Sequence, residues 1–412
     1  MEIPDSTELV ERSQVQLLVE KITITACLAV SLSMVTFAPA YVLKYDAMKL
    51  ELAVFPRFIG TIWPNVLEVI AVLIIVRTYP LIEQRVRRPI IQGVGMMVAA
   101  ITLIIMPYMG YDSLICSMRM VIAFSTAAVE ISCLNWLLEM WQESSGPVMQ
   151  AVYLLCHAIA SYSQRPTVTT DLPWVLDVDK EARIAFTIAG MSMLIGVGVA
   201  AVLFNVSRRY KIETRSFRQA KETPGEVTNG GARSSLMKNL TLTIIGGLIL
   251  LLNGMAIANM SSFHCLFMGD HILPGMDSIR VALVTINELS MMASLIVVTN
   301  LLTKFEEIPV MLACSAVWLI GTLFVLAKKE GAAYLAMMMI GMGVMPIQPA
   351  VFSFLEKTLN VTPLVTGLMV FAVRRQRIGL LIGFDNFVEF QSGVAAAISV
   401  LLIAAWFVRR KL

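Results

Sequence analysis

Long apolar stretches recur along the whole chain, and they constrain its fold more than any other feature of the sequence. A helix needs about 20 consecutive apolar residues to cross the hydrocarbon core of a bilayer, where backbone polar groups can bond only within the protein. Twelve stretches come close to that length. The predicted spans are 22–42, 58–76, 90–109, 116–138, 147–165, 184–206, 240–262, 280–302, 309–327, 332–354, 364–387 and 391–408. The sequence therefore predicts an all-α polytopic membrane protein with twelve transmembrane helices.

The composition excludes most other classes of protein. Hydrophobic residues make up 57% of the 412 residues and charged residues only 15%. A soluble domain is about half apolar and about a quarter charged, so a cytosolic enzyme, a secreted disulfide scaffold and a disordered regulator are excluded. The net charge of +3 is too small to indicate a nucleic-acid partner. We expect no catalytic residues and no metal site, because no phosphate loop or hydrolytic triad occurs and the three histidines lack clustered acids or thiols.

Basic residues set the predicted topology. The longest polar segment, 207–238, contains eight lysines and arginines and separates an N-terminal half (1–206) from a C-terminal half (239–412), each with six spans. Cytoplasmic segments of membrane proteins are enriched in these residues. Placing both termini in the cytosol leaves 19 of them inside and 9 outside. We therefore expect cytosolic termini and a cytosolic basic linker, and by default a monomer in the plasma membrane.

Six spans, a basic linker and six further spans resemble the layout of the major facilitator superfamily, although an unrelated twelve-span carrier could share that count. The most specific stretch is Glu130–Ala151, which reads EISCLNWLLEMWQESSGPVMQA. It resembles span four, the following loop and the start of span five in sodium-dependent glucose transporter 1-like proteins. The matching positions are Leu137–Trp141, Ser145–Pro147 and Gln150–Ala151. The resemblance implies alternating access to a small polar solute such as a hexose, with sodium as the coupling ion and no other cofactor.

Ionisable residues inside predicted spans are the first candidates for function, because each costs at least about 2.5–3.5 kcal/mol on membrane-insertion scales. Glu130 lies midway along span four, where the resembled family has an aspartate. Its carboxylate could hydrogen-bond a sugar hydroxyl, hold a sodium ion or take up a proton. The alternative is a structural bond to a neighbouring polar side chain. Glu130 is the first choice for contact with the solute or the cation.

Three further polar residues are candidates for solute binding. Glu288 follows an asparagine in span eight, and Asn253 lies in span seven. Both could instead bond one helix to another. Gln348 lies between Pro346 and Pro349 in span ten. Prolines inside a span are tolerated where they line a cavity or are covered by another helix, so a plain kink without a role in binding is the alternative there.

Arg374, Arg375 and Arg377 lie together near the middle of span eleven. Three guanidinium groups cannot all face lipid, so they could line an aqueous vestibule that attracts anions, or pair with acids. Spans two and eleven are neighbours in the resembled fold, which makes Glu68 the predicted partner of Arg375. Alternatively, the helix begins later and the cluster lies at the cytosolic edge of the membrane.

Two other functions remain open. An organic-anion transporter would use the arginines of span eleven. A transporter-shaped sensor or scaffold that does not transport is suggested by departures from the superfamily pattern. Its glycines and Asp-Arg pair near the end of span two are replaced by a stretch with Pro64 and Glu68, and the Gly-Arg ending of span eight is replaced by Ser294–Ile296.

Overall fold

The computed structural model describes residues 15–16, 18–35, 58–108, 112–142, 144–168, 178–210, 231–267, 277–327, 329–359, 362–374 and 386–411. Nearly all of these residues are helical. The helices are α1 (Leu18–Val35), α2 (Phe58–Arg85), α3 (Arg88–Ile105), α4 (Asp112–Met140), α5 (Ser145–Val168), α6 (Val178–Tyr210), α7 (Gly231–Phe267), α8 (Asp277–Leu302), α9 (Glu307–Val325), α10 (Glu330–Val344), α11 (Ile347–Leu359), α12 (Pro363–Arg374) and α13 (Phe387–Lys411).

Within the described ranges, nine helical segments are long and apolar enough to cross a membrane, and α10 and α11 together count as one of them. Many of their large apolar side chains point away from the protein. On α3, for example, Val94 is 58% exposed and Ile101 is 49% exposed. Such surfaces are stable against lipid chains and unfavourable in water. The count of twelve helices and the cytosolic termini stay predictions.

One compact unit comprises Met1–Met140 and Tyr162–Lys221. Inside it, α3 packs against both α4 and α6, and α2 packs against α4. The start of α3 follows from its sequence, because Arg87 is extended and Pro89 in the first turn has its φ angle already fixed near the helical value. The core is filled by wholly buried side chains such as Leu103 and Leu134.

The other compact unit comprises Trp141–Ser161 and Glu222–Leu412, and so includes the first part of α5. Inside it, α9 packs against α10 and α13, and α7 packs against α11, α12 and α13. Helix α10 also packs against α8. Much of the predicted linker, 207–238, lies outside the described residues, and the predicted halves 1–206 and 239–412 stay a prediction.

A closed hydrogen-bond network joins three helices of this second unit. The Trp318 indole Nε1 on α9 donates to Gln391 Oε1 on α13 at 3.2 Å. Gln391 Nε2 donates in turn to the Ala256 carbonyl at 3.0 Å and to Asn259 Oδ1 at 3.2 Å, both on α7. Trp318, Gln391 and Asn259 are all wholly buried. Because its groups bond to one another, this network has a structural role.

Candidate functional site

The span predicted at 332–354 is interrupted at Met345 and Pro346, where α10 ends and α11 begins. Proline lacks a backbone N–H and disrupts helical hydrogen bonding. The Pro346 carbonyl accepts the backbone N–H of Ala350 at 3.3 Å and the side-chain Nε2 of Gln150 on α5 at 2.9 Å. Gln150 is wholly buried, and its Oε1 has no hydrogen-bond partner among the described residues. The break therefore has an unused buried acceptor beside it.

Gln348, one of the predicted solute-binding residues, lies in the first turn of α11 and is half-buried. Its Nε2 donates to the Tyr153 hydroxyl of α5 at 3.0 Å. Tyr153 and Gln150 are three residues apart, and side chains with that spacing share one face of a helix. One face of α5 thus presents an amide and a phenol to the break in span ten.

Asn253, the second predicted residue in this unit, is wholly buried on α7. Neither its Nδ2 nor its Oδ1 has a hydrogen-bond partner among the residues described. Two helical turns earlier, Gly246 lies against Leu355 of α11. Four consecutive spans run from α7 to α11, and the chain reverses direction at each one, so α7 and α11 are antiparallel. Seven residues forward from Gly246 therefore corresponds to seven residues back from Leu355, which is Gln348. The Asn253 and Gln348 amides therefore lie at about the same level along this pair of helices.

Glu288, the third predicted residue, lies half-buried on α8, next to the buried Asn287. A side chain at Gly341 would place its Cβ 2.9 Å from the Asn287 carbonyl oxygen, so glycine is required for α10 to approach α8 this closely. The Asn287 Oδ1 lacks a hydrogen-bond partner within the described part of the chain. The unused Asn287 Oδ1 thus lies beside span ten at Gly341, five residues before Pro346.

We use the name polar layer for Gln150, Tyr153, Asn253 and Gln348. All four residues belong to the second compact unit. They offer neutral amide and phenol groups, which both donate and accept hydrogen bonds. Glu130 belongs to the first unit, where it is half-buried on α4, and its part in solute binding stays a prediction.

The structure gives Glu68 a partner that the sequence did not indicate. Arg119 Nε on α4 contacts Glu68 Oε1 on α2 at 3.0 Å, and the two side chains are only 7% and 14% exposed. Arg374 is half-buried at the last residue of α12, while Arg375 and Arg377 lie outside the described residues. The predicted pairing of Glu68 with Arg375 therefore stays a prediction.

Sequence reasoning missed a second buried ion-pair cluster in the first unit. Arg88, the first residue of α3, donates from Nη1 and Nη2 to the two carboxylate oxygens of Glu139 at 2.8 and 2.7 Å. Its Nε also contacts Glu83, near the end of α2. The available signals were Glu139 within the LLEMW stretch and Arg88 among the basic residues of a short loop. This cluster provides a charged contact between the end of α2, the start of α3 and the end of α4.

The second unit has a corresponding pair with the charges reversed. Glu307, the first residue of α9, accepts from Lys357 Nζ at 2.5 Å and from the Ser353 hydroxyl at 3.1 Å, and both partners lie on α11. Ser353 is also 3.1 Å from the hydroxyl of Ser145, the first residue of α5. A Cβ at Gly146 would come within 3.1 Å of that same Ser353 hydroxyl. Ser145 and Gly146 of the SGP sequence thus bring the start of α5 against α11.

Comparison with known proteins supports the fold. The chain is similar to the crystal structure of the major facilitator superfamily transporter FucP in its outward conformation, with a TM-score of 0.66, 14% identity, and coverage of 95% of this chain and 100% of that one. It is also similar to the proton:xylose symporter XylE bound to 6-bromo-6-deoxy-D-glucose, with a TM-score of 0.65, 11% identity and coverage of 94% of both chains. No protein-family model matches the sequence, and no curated protein matches it significantly.

The chain therefore has the fold of the major facilitator superfamily and is an integral, multi-pass membrane protein. A third similar structure, of the E. coli fucose:proton symporter FucP, gives a TM-score of 0.67 at 14% identity over 94% of this chain and 98% of that one. At such identities the likeness supports the fold and leaves the solute to be argued from the residues. The specific likeness to sodium-dependent glucose transporter 1-like proteins stays a prediction.

Proposed function

We propose that the protein is a secondary transporter that moves a small, uncharged, hydroxylated solute of hexose type across a membrane by alternating access. The observation that carries this proposal is the wholly buried Asn253 amide, whose donor and acceptor are both unused among the described residues. A buried polar group left without a partner costs about 1–3 kcal/mol. A bound hydroxylated solute would relieve that cost, because one hydroxyl can both donate to Oδ1 and accept from Nδ2.

The composition of the polar layer supports a neutral solute. Its described members are amides and a phenol, and none of the four carries a charge at neutral pH. The anion alternative depends on the arginines of span eleven, of which only Arg374 is described. Glu288 and Glu130 remain candidates for contact with the solute or with a coupling ion.

The similar structures support the same class of solute. They are the structures of a fucose:proton symporter and of a proton:xylose symporter bound to 6-bromo-6-deoxy-D-glucose. Sodium is the coupling ion that the sequence resemblance implies, whereas protons are named for the two similar symporters. We keep both ions as candidates for this chain and keep the plasma membrane as the expected location.

Uptake into proteoliposomes tests the proposal. The purified full chain is reconstituted, and radiolabelled glucose, fucose and xylose are supplied with an inward sodium gradient, with an inward proton gradient or with neither. We expect uptake of at least one sugar above that of empty vesicles. Asn253→Ala should reduce that uptake at least about tenfold, since one good hydrogen-bonded contact contributes about 1.4 kcal/mol or more.

Asn300→Ala is the matched control. Asn300 is exposed on α8, and among the described residues its side chain donates to the Ile296 carbonyl of its own helix, so its removal should leave uptake unchanged. Equal uptake by the two variants would contradict the assignment of Asn253. No uptake of any sugar by folded wild-type protein would contradict sugar transport and favour an anion solute or a sensor that does not transport.

A further inference from the structure

The Glu83–Arg88–Glu139 cluster, at the end of α2 in the first unit, holds more negative than positive charge. Arg88 is only 4% exposed, and the Glu83 and Glu139 side chains are 5% and 16% exposed. One guanidinium therefore balances two carboxylates that are largely removed from water. A buried charge without a counter-charge is strongly unfavourable, so a cluster with a formal charge of −1 favours the binding of one more positive charge.

No other described cation supplies that charge from inside the protein. Arg85 and Arg87 are close in the sequence, but both are exposed, so water and salt screen their effect. The other titratable groups near the cluster are the Tyr79 phenol, one turn before Glu83 on α2, and the Cys133 thiol on α4. Both groups are neutral at neutral pH, so neither offsets the excess carboxylate.

A second observation points to a ligand at this cluster. Gln92 lies one turn after Arg88 on α3 and is wholly buried. Its Nε2 donates to the Ser132 hydroxyl of α4 at 3.2 Å, but its Oε1 has no hydrogen-bond partner among the residues that the structure describes. Ser132 is close to Tyr79, which lies one turn before Glu83 on α2. Because Arg88 and Gln92 are four residues apart, the unused Gln92 carbonyl oxygen lies on the face of α3 that carries Arg88.

We propose that this cluster binds one further monovalent cation, a proton or a sodium ion, at the Glu83 carboxylate, with Gln92 Oε1 as the second acceptor. A proton would turn Glu83 into a donor that can satisfy the Gln92 carbonyl. A sodium ion would be ligated by both oxygens, which are the hard ligands that such ions prefer. Either cation brings the cluster to neutrality. The site belongs to the first unit, whereas the polar layer belongs to the second, and its existence does not depend on which solute is transported.

Thermal unfolding of the full chain in detergent, without any solute, tests this site and separates the two cations. In one arm the pH is varied across the neutral range in choline chloride, and in the other sodium chloride replaces choline chloride at constant pH and ionic strength. A bound cation stabilises the folded state by mass action. If the cation is a proton, the folded state holds it more tightly than the unfolded state, so the Tm falls as the pH rises. If it is sodium, the Tm rises with sodium.

Two variants identify the site. Glu83→Gln and Glu139→Gln each leave Arg88 with one carboxylate, so each should remove the cation-dependent part of the Tm shift. Either variant suffices if the other does not fold. Glu306→Gln is the control, because Glu306 forms an exposed pair with Arg409 and the variant should keep the wild-type response. The proposal is overturned if wild type responds to neither cation, or if both cluster variants respond as fully as the control.

Discussion

Replacing Gln391 by methionine tests whether the hydrogen-bond network of the second unit stabilises the fold. Methionine keeps nearly the volume of glutamine, so the packing of α13 is disturbed little. The change removes the acceptor for the Trp318 indole N–H and the donor to Asn259 Oδ1. It also removes the donor to the Ala256 carbonyl. All three lost bonds join different helices, so the effect should appear in the free energy of unfolding.

The expected magnitude follows from the number of bonds and their burial. Hydrogen bonds between membrane helices contribute about 0.6 kcal/mol each on average, with a maximum of about 1.7 kcal/mol. Three bonds therefore contribute about 2 kcal/mol. The Trp318 N–H is left wholly buried without a partner, which moves the expected loss towards about 3 kcal/mol. That range corresponds to about a 30- to 150-fold increase in the equilibrium constant of unfolding.

The measurement is reversible unfolding in mixed micelles with increasing dodecyl sulfate, followed by far-ultraviolet circular dichroism. Gln142→Met is the matched control, because Gln142 is half-buried and makes a long 3.4 Å bond to Glu356, so its loss should stay below about 0.6 kcal/mol. A double-mutant cycle with Trp318→Phe isolates the indole–amide bond. Equal losses in Gln391→Met and Gln142→Met, or no coupling in the cycle, would refute the reasoning.

Two further predictions concern close packing and buried charge. Gly341→Ala should lower stability by about 1–3 kcal/mol, because the added Cβ meets the Asn287 backbone. Gly331→Ala is the control, because the space around Gly331 is open, and it should be neutral or slightly stabilising. Thermal unfolding in detergent compares the two variants. Glu68→Gln should lower stability by about 1–3 kcal/mol, because a neutral amide replaces the carboxylate in a largely buried contact with Arg119 Nε. An unchanged Tm would contradict that role.

The sequence predicts the positions of several spans well but not how the helices are rotated. The span predicted at 309–327 appears as Glu307–Val325, because the length of an apolar run is a local property. In a membrane protein, however, the lipid-facing side of a helix is as apolar as its buried side. The hydrophobic period that orients helices in soluble proteins is therefore weak. For this reason the Glu68–Arg119 pair, whose members are 51 residues apart, did not follow from the sequence.

The candidate site was predictable only in part for a related reason. Asn253 and Gln348 stand out because amides are rare inside spans, and the proline at position 346 indicates a break. Whether an amide is satisfied depends on its neighbours on other helices. The sequence could not distinguish Asn259, which bonds to Gln391, from Asn253, which has no partner among the described residues. Sequence reasoning missed Gln150 and Tyr153 as binding candidates. The face of α5 that carries both residues becomes part of the site only because α11 packs beside it, and the sequence does not reveal that contact.

The reversed charges at the starts of α3 and α9 have a consequence for how the chain assembles. In the first unit Arg88 meets Glu139, and in the second Glu307 meets Lys357. If α9 took the place of α3 during membrane insertion, Glu307 would face Glu139. The opposite exchange would set Arg88 against Lys357. Each error brings like charges together at a contact in which Arg88 or Glu307 is buried, so the two pairs disfavour the exchange of one helix for the other.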